Sequence, residues 1–292
     1  MTNVVGIGGG HGLAVTMRAA QRYADHVTAV VSVADDGGSS GRLRASTGLP
    51  AMGDLRRCLT TLAEPDDSWA RALERRFHGG ELDGHPLGNL VLTALAEELG
   101  DLSAAVVAVA SQLGLRATIL PATDVAVTLV AEADAGPIVG QVAVHASTGI
   151  KRVALEPQDP PPGGGVVAAI EGADQILVGP GSLFTSVLAA LAVPGVRDAV
   201  ARSRGQRVYV CNLRAQPPET DGYDVAAHVA ALREHDVEID VVLCHPGALP
   251  LGNVGSETFG TRVVEVPVAL GSSAVHDPEL LGTALATLIG SG

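Results

Sequence analysis

The sequence predicts an α/β fold with a mostly parallel sheet, helices on both of its faces and a small antiparallel β insertion. Apolar runs that suit buried strands alternate with helix-like segments along most of the 292 residues. Several of these runs end in loops rich in Gly, Asp, Asn or Ser. Hydrophobic residues make up 47% of the chain, which is enough for a large core. We therefore expect ligands at the carboxyl edge of a parallel sheet.

The first elements are a strand at residues 4–7, a glycine loop at 8–12 and a helix at 13–23. Glycines in such a loop let the backbone approach a phosphate, while the helix N-terminus supplies unpaired N–H groups. The third glycine of the dinucleotide fingerprint is missing, so the pattern favours a nucleotide but not NAD. His11 is interpreted as a phosphate donor, or alternatively as a polar residue at a helix start. The loop residues predicted to bind nucleotide are Gly9, Gly10, His11 and Gly12.

The second strand, at residues 27–33, is followed by an acidic loop that also carries small residues and arginine. Its backbone N–H groups and hydroxyls suit an anion, whose charge an arginine can neutralise. The alternative is a polar surface turn. Asp35 and Asp54 could hold magnesium between diphosphate oxygens; we favour instead that Asp35 or Asp36 binds a ribose or base without metal. The predicted nucleotide-binding residues here are Asp35, Asp36, Gly37, Ser39, Ser40 and Arg42.

Three further helices are predicted at residues 55–63, at 68–77 and from the motif at 84–90 to about Gly100. Asp54 is predicted to cap the first of them, and its neighbours Arg56 and Arg57 make an additional anion-binding role possible. His85, which precedes a proline, is either a structural cap or a base. The residues predicted as anion or sugar contacts are Asp54, Arg56, His85 and Asn89.

From about residue 117 to 155 the pattern changes to β-branched segments separated by turns. We expect antiparallel strands at 125–131, 138–144 and 151–155, inserted into the alternating fold. The proline- and glycine-rich connector at 157–165 is too short to separate independent domains, so residues 1–292 are predicted to form one domain.

The alternation then resumes with a strand at 175–178, a second glycine loop at 179–182 and a helix at 183–191. Ser182 could bind a diphosphate or sugar, or merely cap that helix. Strands at 207–211 and 239–244, a helix at 226–235 and a helix opened by Asp277 complete the pattern. The nucleotide-binding residues predicted in this half are Gly181, Ser182, Thr185, Ser186 and Asn212.

The composition argues against several classes of function. A net charge of -13 and 2% aromatic residues argue against a nucleic-acid partner. The three cysteines, Cys58, Cys211 and Cys244, are far apart and form no CxxC pair, so we expect buried, reduced thiols. The histidines lack metal-ligand spacing. No signal or membrane segment is recognised, and we expect a cytoplasmic protein without membrane association.

Taken together in order, the motifs resemble the YvcK family of gluconeogenesis factors, which belongs to one superfamily with CofD-type 2-phospho-L-lactate transferases. The resemblance runs from Val4 to about Cys244. The motifs that carry it lie at residues 8–13, 34–42, 53–56, 84–90, 179–186 and 209–212.

This resemblance implies a Rossmann-like fold with a nucleotide-binding crevice, and a homodimer. It further implies a cytosolic protein that binds a UDP-sugar such as UDP-N-acetylglucosamine and affects central carbon metabolism, cell-wall synthesis and cell shape, with a protein partner still to be identified. We expect binding without turnover. The alternative is a CofD-type transferase that, aided by magnesium, joins a phospholactyl group from a guanylylated donor to a deazaflavin alcohol. No cofactor beyond these ligands is expected.

Overall fold

The fold is described from a computed structural model for residues 1–254, 260–271 and 273–289. Its strands are β1 (Asn3–Gly8), β2 (His26–Val31), β3 (Thr118–Pro121), β4 (Thr128–Ala133), β5 (Gly136–Val139), β6 (Ile150–Glu156), β7 (Gln175–Val178), β8 (Gln206–Val210), β9 (Val241–Cys244) and β10 (Arg262–Glu265). Seven of them form one sheet in the order β10-β9-β8-β7-β1-β2-β3, with all neighbours parallel. This confirms the predicted α/β class.

The helices connect and cover these strands. They are α1 (Gly10–Ala20), α2 (Gly38–Thr47), α3 (Gly53–Leu62), α4 (Ser68–Glu74), α5 (Leu87–Leu99), α6 (Leu102–Gln112), α7 (Gln141–His145), α8 (Val166–Glu171), α9 (Leu188–Leu191), α10 (Pro194–Arg202), α11 (Val225–Glu234) and α12 (Pro278–Leu288). A π-helical turn, Leu183–Val187, precedes α9. Consecutive residues of β1 and β7 are buried, and because neighbouring side chains point to opposite faces, both faces of the sheet are covered.

The antiparallel insertion is smaller than predicted. Its sheet contains β5, β4 and β6 in that order. Thr118–Pro121 instead pairs in parallel with β2 in the main sheet, so the insertion does not begin at residue 117. The predicted strand at 138–144 is also wrong: β5 ends at Val139, and the short helix α7 follows. Gly140, with φ of 100°, makes the turn between them.

The predicted helix caps have mixed outcomes. Asp277 accepts hydrogen bonds from the N–H groups of Glu279 and Leu280 and so caps α12 as predicted. Ser182 accepts one from Thr185 N and caps the π-helical turn. Asp54 does not cap α3: the helix begins one residue earlier, and the Asp54 carboxylate lies inside its first turn.

The remaining features follow from the apolar composition. All three cysteines are free and buried, as expected. Among the described residues, no single helix has both the length and the apolar character needed to cross a membrane. The bent pair Leu183–Leu191 and Pro194–Arg202 meets those two criteria only when its members are taken together. The leucines and both alanines of the first member are buried in the protein core.

Candidate functional site

The carboxyl ends of four neighbouring strands, β2, β1, β7 and β8, meet along one edge of the sheet. Two cavities lie there. The first, here called the loop cavity, has a volume of about 400 Å3 and lies over residues 9–12, between Asp54 and Ser182. The second, here called the apolar slot, has a volume of about 350 Å3 and runs past Pro180 and Leu213. Both cavities are lined by His11, Gly12, Gly181 and Gln216, so they form one continuous crevice.

The first glycine loop forms the floor of this crevice. Gly9 is the N-cap of α1, and within the described residues no side chain caps that helix. Gly10 has φ of 61°, a conformation that glycine adopts without strain. A Cβ on Gly12 would lie 2.4 Å from the carbonyl oxygen of Pro180, so only glycine lets the two loops approach this closely. The helix N-terminus therefore faces the loop cavity with its backbone donors and partial positive charge.

Two aspartates and one arginine flank that floor. Arg57 Nη1 donates to Asp54 Oδ1 over 2.6 Å, and all of Asp35, Asp54 and Arg57 line the loop cavity. Burial raises the pKa of Asp54, Arg57 opposes this, and the Asp35 carboxylate adds to it. Within the described residues there is no cluster of three or more His, Cys, Asp or Glu side chains that could hold a metal ion. Two carboxylates do suit a magnesium ion that is also held by ligand phosphates.

The second glycine loop is filled by a carboxylate from the protein itself. Glu219 is 1% exposed, and its oxygens accept hydrogen bonds from Ser182 Oγ at 2.6 Å and from Phe184 N at 2.7 Å. Thr185 N and Thr185 Oγ1 also donate to it, at 3.3 and 3.4 Å. His145 Nδ1 lies 2.8 Å from Glu219 Oε2 and joins α7 to this group. Ser182 and Thr185, two of the residues that sequence reasoning assigned to a ligand, are thus bonded to Glu219.

Asn212 fixes the same loop from the end of β8. Its Nδ2 donates to the carbonyl of Gly181 over 2.8 Å, and its Oδ1 accepts from Gly181 N at 3.0 Å. The amide thereby pairs with both backbone groups of one residue. Asn212 also lines the apolar slot, so it shapes the crevice through the position of Gly181.

The residues predicted to bind a ligand fall into two groups. One group lines the crevice: Gly9, Gly10, His11, Gly12, Asp35, Asp54, Gly181, Ser182, Thr185, Ser186 and Asn212. The other group lies outside the lining of both cavities: Asp36, Gly37, Ser39, Ser40, Arg42, Arg56, His85 and Asn89.

Members of the second group are bonded to other parts of the protein. Asp36 accepts hydrogen bonds from Gln141 N and Val142 N at 2.8 and 3.0 Å, and so holds the start of α7. Arg42 donates to the carbonyl of Asp83. Neither side chain reaches the crevice lining, although Gln141 and His145 of α7 do.

Four other members, Ser39, Arg56, His85 and Asn89, form a polar chain beside α3. His85 Nδ1 lies 2.8 Å from Ser39 Oγ, which accepts from Asn89 Nδ2 at 3.1 Å. Asn89 Oδ1 then accepts from Arg56 Nη1 at 2.8 Å, and Arg56 Nε donates to Glu74 at 3.0 Å. Arg56 is 2% exposed, and its partners satisfy a charge that would be costly to bury alone. This chain joins α2, α3, α4 and α5.

Sequence reasoning missed four residues of the site. Arg57, which was named beside Asp54 as a partner in anion binding, lines the loop cavity and is bonded to Asp54. Gln216 and Glu219 lie within the span of the family resemblance, but nothing in the local sequence indicates that Glu219 bonds to the second glycine loop. His145 was hidden by the wrong strand assignment. His276, which lines the apolar slot, directly precedes the cap of α12.

The chain matches a family model described as 2-phospho-L-lactate transferase CofD over residues 4–266. It is 42% identical to the gluconeogenesis factor of Halalkalibacterium halodurans, covering 80% of this chain and 73% of that protein. It is 41% identical to the gluconeogenesis factor of Bacillus subtilis, covering 78% and 73%. A relative from Nostoc, whose name as a gluconeogenesis factor is marked as provisional, is 43% identical over 83% of this chain. The matched stretch covers 54% of that relative's length.

The fold is also shared with a solved structure. The chain superposes on a UPF0052-family protein from Bacillus halodurans with a TM-score of 0.92 and 33% identity, covering 97% of this chain and 98% of that one. The family match spans most of the chain, and the curated relatives agree with the motif resemblance. The chain therefore belongs to the CofD family and, within it, to the YvcK-type gluconeogenesis factors.

Proposed function

We propose that this protein binds a nucleotide sugar of the UDP-N-acetylglucosamine kind in the crevice and regulates central carbon metabolism without converting the ligand. Effects on cell-wall synthesis and cell shape, a homodimer, a protein partner and a cytoplasmic location are part of the same proposal. The names of the relatives support the metabolic part, since they are called gluconeogenesis factors.

The observation that carries the proposal is the form of the crevice. Two cavities of about 400 and 350 Å3, each within the usual range of small-molecule sites, join over the N-terminus of α1. A nucleotide sugar also has two bulky ends, joined by a diphosphate. The diphosphate fits where the backbone donors of residues 9–12 and the positive end of the helix lie. The polar loop cavity then suits the sugar and the apolar slot suits the base.

Binding without turnover is supported by the state of the polar groups around the crevice. Ser182 and Thr185, whose hydroxyls lie at the loop cavity, donate to Glu219. Asp54 is held by Arg57, and burial raises its pKa. If magnesium takes part, Asp35 and Asp54 would hold it, and the ion would neutralise charge on the diphosphate.

One observation favours the alternative of a CofD-type transferase. The matching family model bears that enzyme's description, and two carboxylates line the loop cavity as a magnesium-assisted transfer would need. The relatives that match most of this chain at over 40% identity carry the other name. We therefore rank binding first.

A thermal-shift panel tests the proposal. UDP-N-acetylglucosamine, UDP-glucose, GDP, GTP and NAD are each added with and without magnesium. A ligand at about 100 times its Kd stabilises the folded state by about 2.7 kcal/mol, so a clear rise in Tm is expected with the UDP-sugars. Chromatography should then recover the UDP-sugar intact. An unchanged Tm with every UDP-sugar would sink the proposal, and product formed from a guanylylated phospholactate and the deazaflavin alcohol would establish the transferase.

A further inference from the structure

A histidine of the short helix α7 lies between the second glycine loop and the loop cavity. His145 Nδ1 is 2.8 Å from Glu219 Oε2, and His145 also lines the loop cavity. The His145 side chain is 51% exposed, whereas the Glu219 side chain is fully buried. Because α7 lies between β5 and β6 of the antiparallel insertion, His145 is outside the motifs that carry the family resemblance. Its role therefore has to be derived from its surroundings.

The partners of Glu219 decide which ring nitrogen of His145 carries a proton. Phe184 N and Thr185 N can only donate, so the Glu219 side chain acts as an acceptor. A carboxylate that accepts from Nδ1 keeps the ring proton on that nitrogen. In the neutral ring, Nε2 then has a free lone pair. In the part of the chain that the structure describes, no hydrogen bond reaches Nε2.

The ring of His145 is held in position from both ends of α7. At the C-terminal end, Glu219 is itself fixed by the donors of the second glycine loop. At the N-terminal end, Asp36 accepts hydrogen bonds from Gln141 N and Val142 N at 2.8 and 3.0 Å. A side chain with fixed supports loses little freedom when a ligand binds, so it suits a binding contact. Since Nδ1 faces the buried carboxylate, the edge of the ring that carries Nε2 is left for the cavity.

The surroundings of the ring indicate the kind of group that Nε2 meets. The loop cavity also contains the Asp35 carboxylate and the bonded pair of Asp54 and Arg57. The backbone donors of the first glycine loop, on the cavity floor, favour the diphosphate. A sugar beyond the diphosphate carries several hydroxyls, and each hydroxyl can donate to an acceptor atom. Nε2 and the Asp35 carboxylate are two such acceptors in one polar cavity.

We propose that His145 Nε2 accepts a hydrogen bond from a hydroxyl at C3, C4 or C6 of the sugar, with Glu219 as the residue that orients the ring. His145 thereby helps the protein to distinguish a nucleotide sugar from the nucleoside diphosphate alone. This inference rests on the proposed function, because it concerns the sugar end of the same ligand. In a purely structural role, His145 would only tie α7 to the second glycine loop, and the experiment separates the two.

Calorimetric titration of the full chain tests the proposal with ligands that differ by one hydroxyl. The ligands are UDP, UDP-glucose and the 3-, 4- and 6-deoxy analogues of UDP-glucose, since glucose shares these three hydroxyls with N-acetylglucosamine. We expect at least one analogue to bind about fivefold more weakly than UDP-glucose, because it lacks the hydroxyl that donates to Nε2. UDP should bind more weakly than UDP-glucose for the same reason.

Variants of His145 show whether that hydroxyl meets this side chain. In His145→Asn the amide can still donate to Glu219 from the place of Nδ1, but no atom remains at the place of Nε2. UDP-glucose should bind this variant about fivefold more weakly, UDP should bind as before, and the same deoxy analogue should differ from UDP-glucose by less than about twofold. Val142→Ala is the control: Val142 is exposed on the same helix and outside the lining of the loop cavity, so all affinities should stay within about twofold.

The failures of the two proposals are distinguishable. If UDP and UDP-glucose lose affinity for His145→Asn by the same factor, or if every deoxy analogue is discriminated as strongly as by the unmodified protein, this inference is overturned and the proposed function stands. If no UDP-sugar binds the unmodified protein, both are overturned. If His145→Asn does not fold, His145→Phe, which keeps a ring but has neither nitrogen, should show the same loss of discrimination between UDP-glucose and its deoxy analogue.

Discussion

The two glycine loops of this protein follow neighbouring strands and look alike in sequence, yet they have different structures. The first, at residues 9–12, leads into α1, which no described side chain caps. The second, at residues 179–182, leads into a π-helical turn whose donors are bonded to Glu219. A glycine loop at a strand end thus indicates where an anion can bind, but the anion can be the protein's own carboxylate.

The close approach of the two loops gives the largest expected effect. Gly12→Ala places a methyl group 2.4 Å from the Pro180 carbonyl oxygen, and backbone cannot yield as a side chain can. We expect the free energy of unfolding to fall by about 3 kcal/mol and nucleotide affinity to fall by at least about tenfold, since the crevice floor is displaced. Denaturant titration and calorimetry measure these quantities.

The control is Gly164→Ala, where a Cβ meets nothing within 4 Å. It should leave both stability and affinity nearly unchanged. If Gly12→Ala behaves like this control, the loops are not packed as closely as described, and the comparison between them loses its basis.

Removing Glu219 should make the second loop resemble the first. Glu219→Ala leaves Phe184 N and the hydroxyls of Ser182 and Thr185 without their acceptor, which we expect to cost about 2–3 kcal/mol of unfolding free energy. Inorganic phosphate should then stabilise the variant more than the unmodified protein, because the freed donors form an anion site. Unfolding in denaturant with and without phosphate is the measurement.

Glu171→Ala is the matched control for that change, because Glu171 forms an exposed ion pair with Arg202. It should cost less than about 1 kcal/mol and bring no added response to phosphate. Equal responses to phosphate in the two variants would show that Glu219 does not fill an anion site.

The region beneath the second loop should also respond to pH. Phe184 of the loop packs edge-on against Tyr223 and His235, and His228 packs against Tyr209 and Tyr223. Burial lowers the pKa values of His228 and His235 in the folded state. His235 is held neutral, with Nδ1 beside the Ala231 carbonyl and Nε2 accepting from Val153 N.

The direction of the pH effect follows from these lowered pKa values. The unfolded chain takes up protons on histidine near pH 6.5, before the folded state does, so stability is full above that pH and is lost as pH falls below it. We expect a loss of about 2 kcal/mol between pH 7 and pH 5, measured by denaturant titration. His235→Gln should reduce this slope; an unchanged slope would mean that His235 titrates in the folded state as it does in the unfolded chain.

The parts of this fold that the sequence predicted are those set by local pattern. β7 was predicted with its observed bounds because Gln175 and three consecutive apolar residues are followed at once by Gly179 and Pro180. The segment at 138–144 alternates like a strand, but its conformation is decided by Asp36, about a hundred residues earlier, which bonds to two N–H groups of α7. Glu219 was missed for the same reason, since its partners lie 34 to 74 residues away. Local pattern located the crevice, while long-range carboxylate contacts determined which donors remain open.

Asp36 gives the smallest expected effect and separates two explanations of the acidic loop. If Asp36 were a nucleotide ligand, its substitution would lower nucleotide affinity without lowering the stability of the protein. If Asp36 instead holds α7, its substitution should lower affinity and stability together. Asp36→Ala removes two hydrogen bonds to Gln141 N and Val142 N, at a cost of about 1 kcal/mol of unfolding free energy. Because Gln141 and His145 of α7 line the loop cavity, UDP-sugar affinity should fall only a few-fold.

Hydrogen exchange at the α7 amides decides between the two roles of Asp36. Faster exchange in the unliganded variant is expected if Asp36 holds α7. Unchanged exchange with a large loss of affinity would make Asp36 a direct ligand and extend the crevice to the acidic loop.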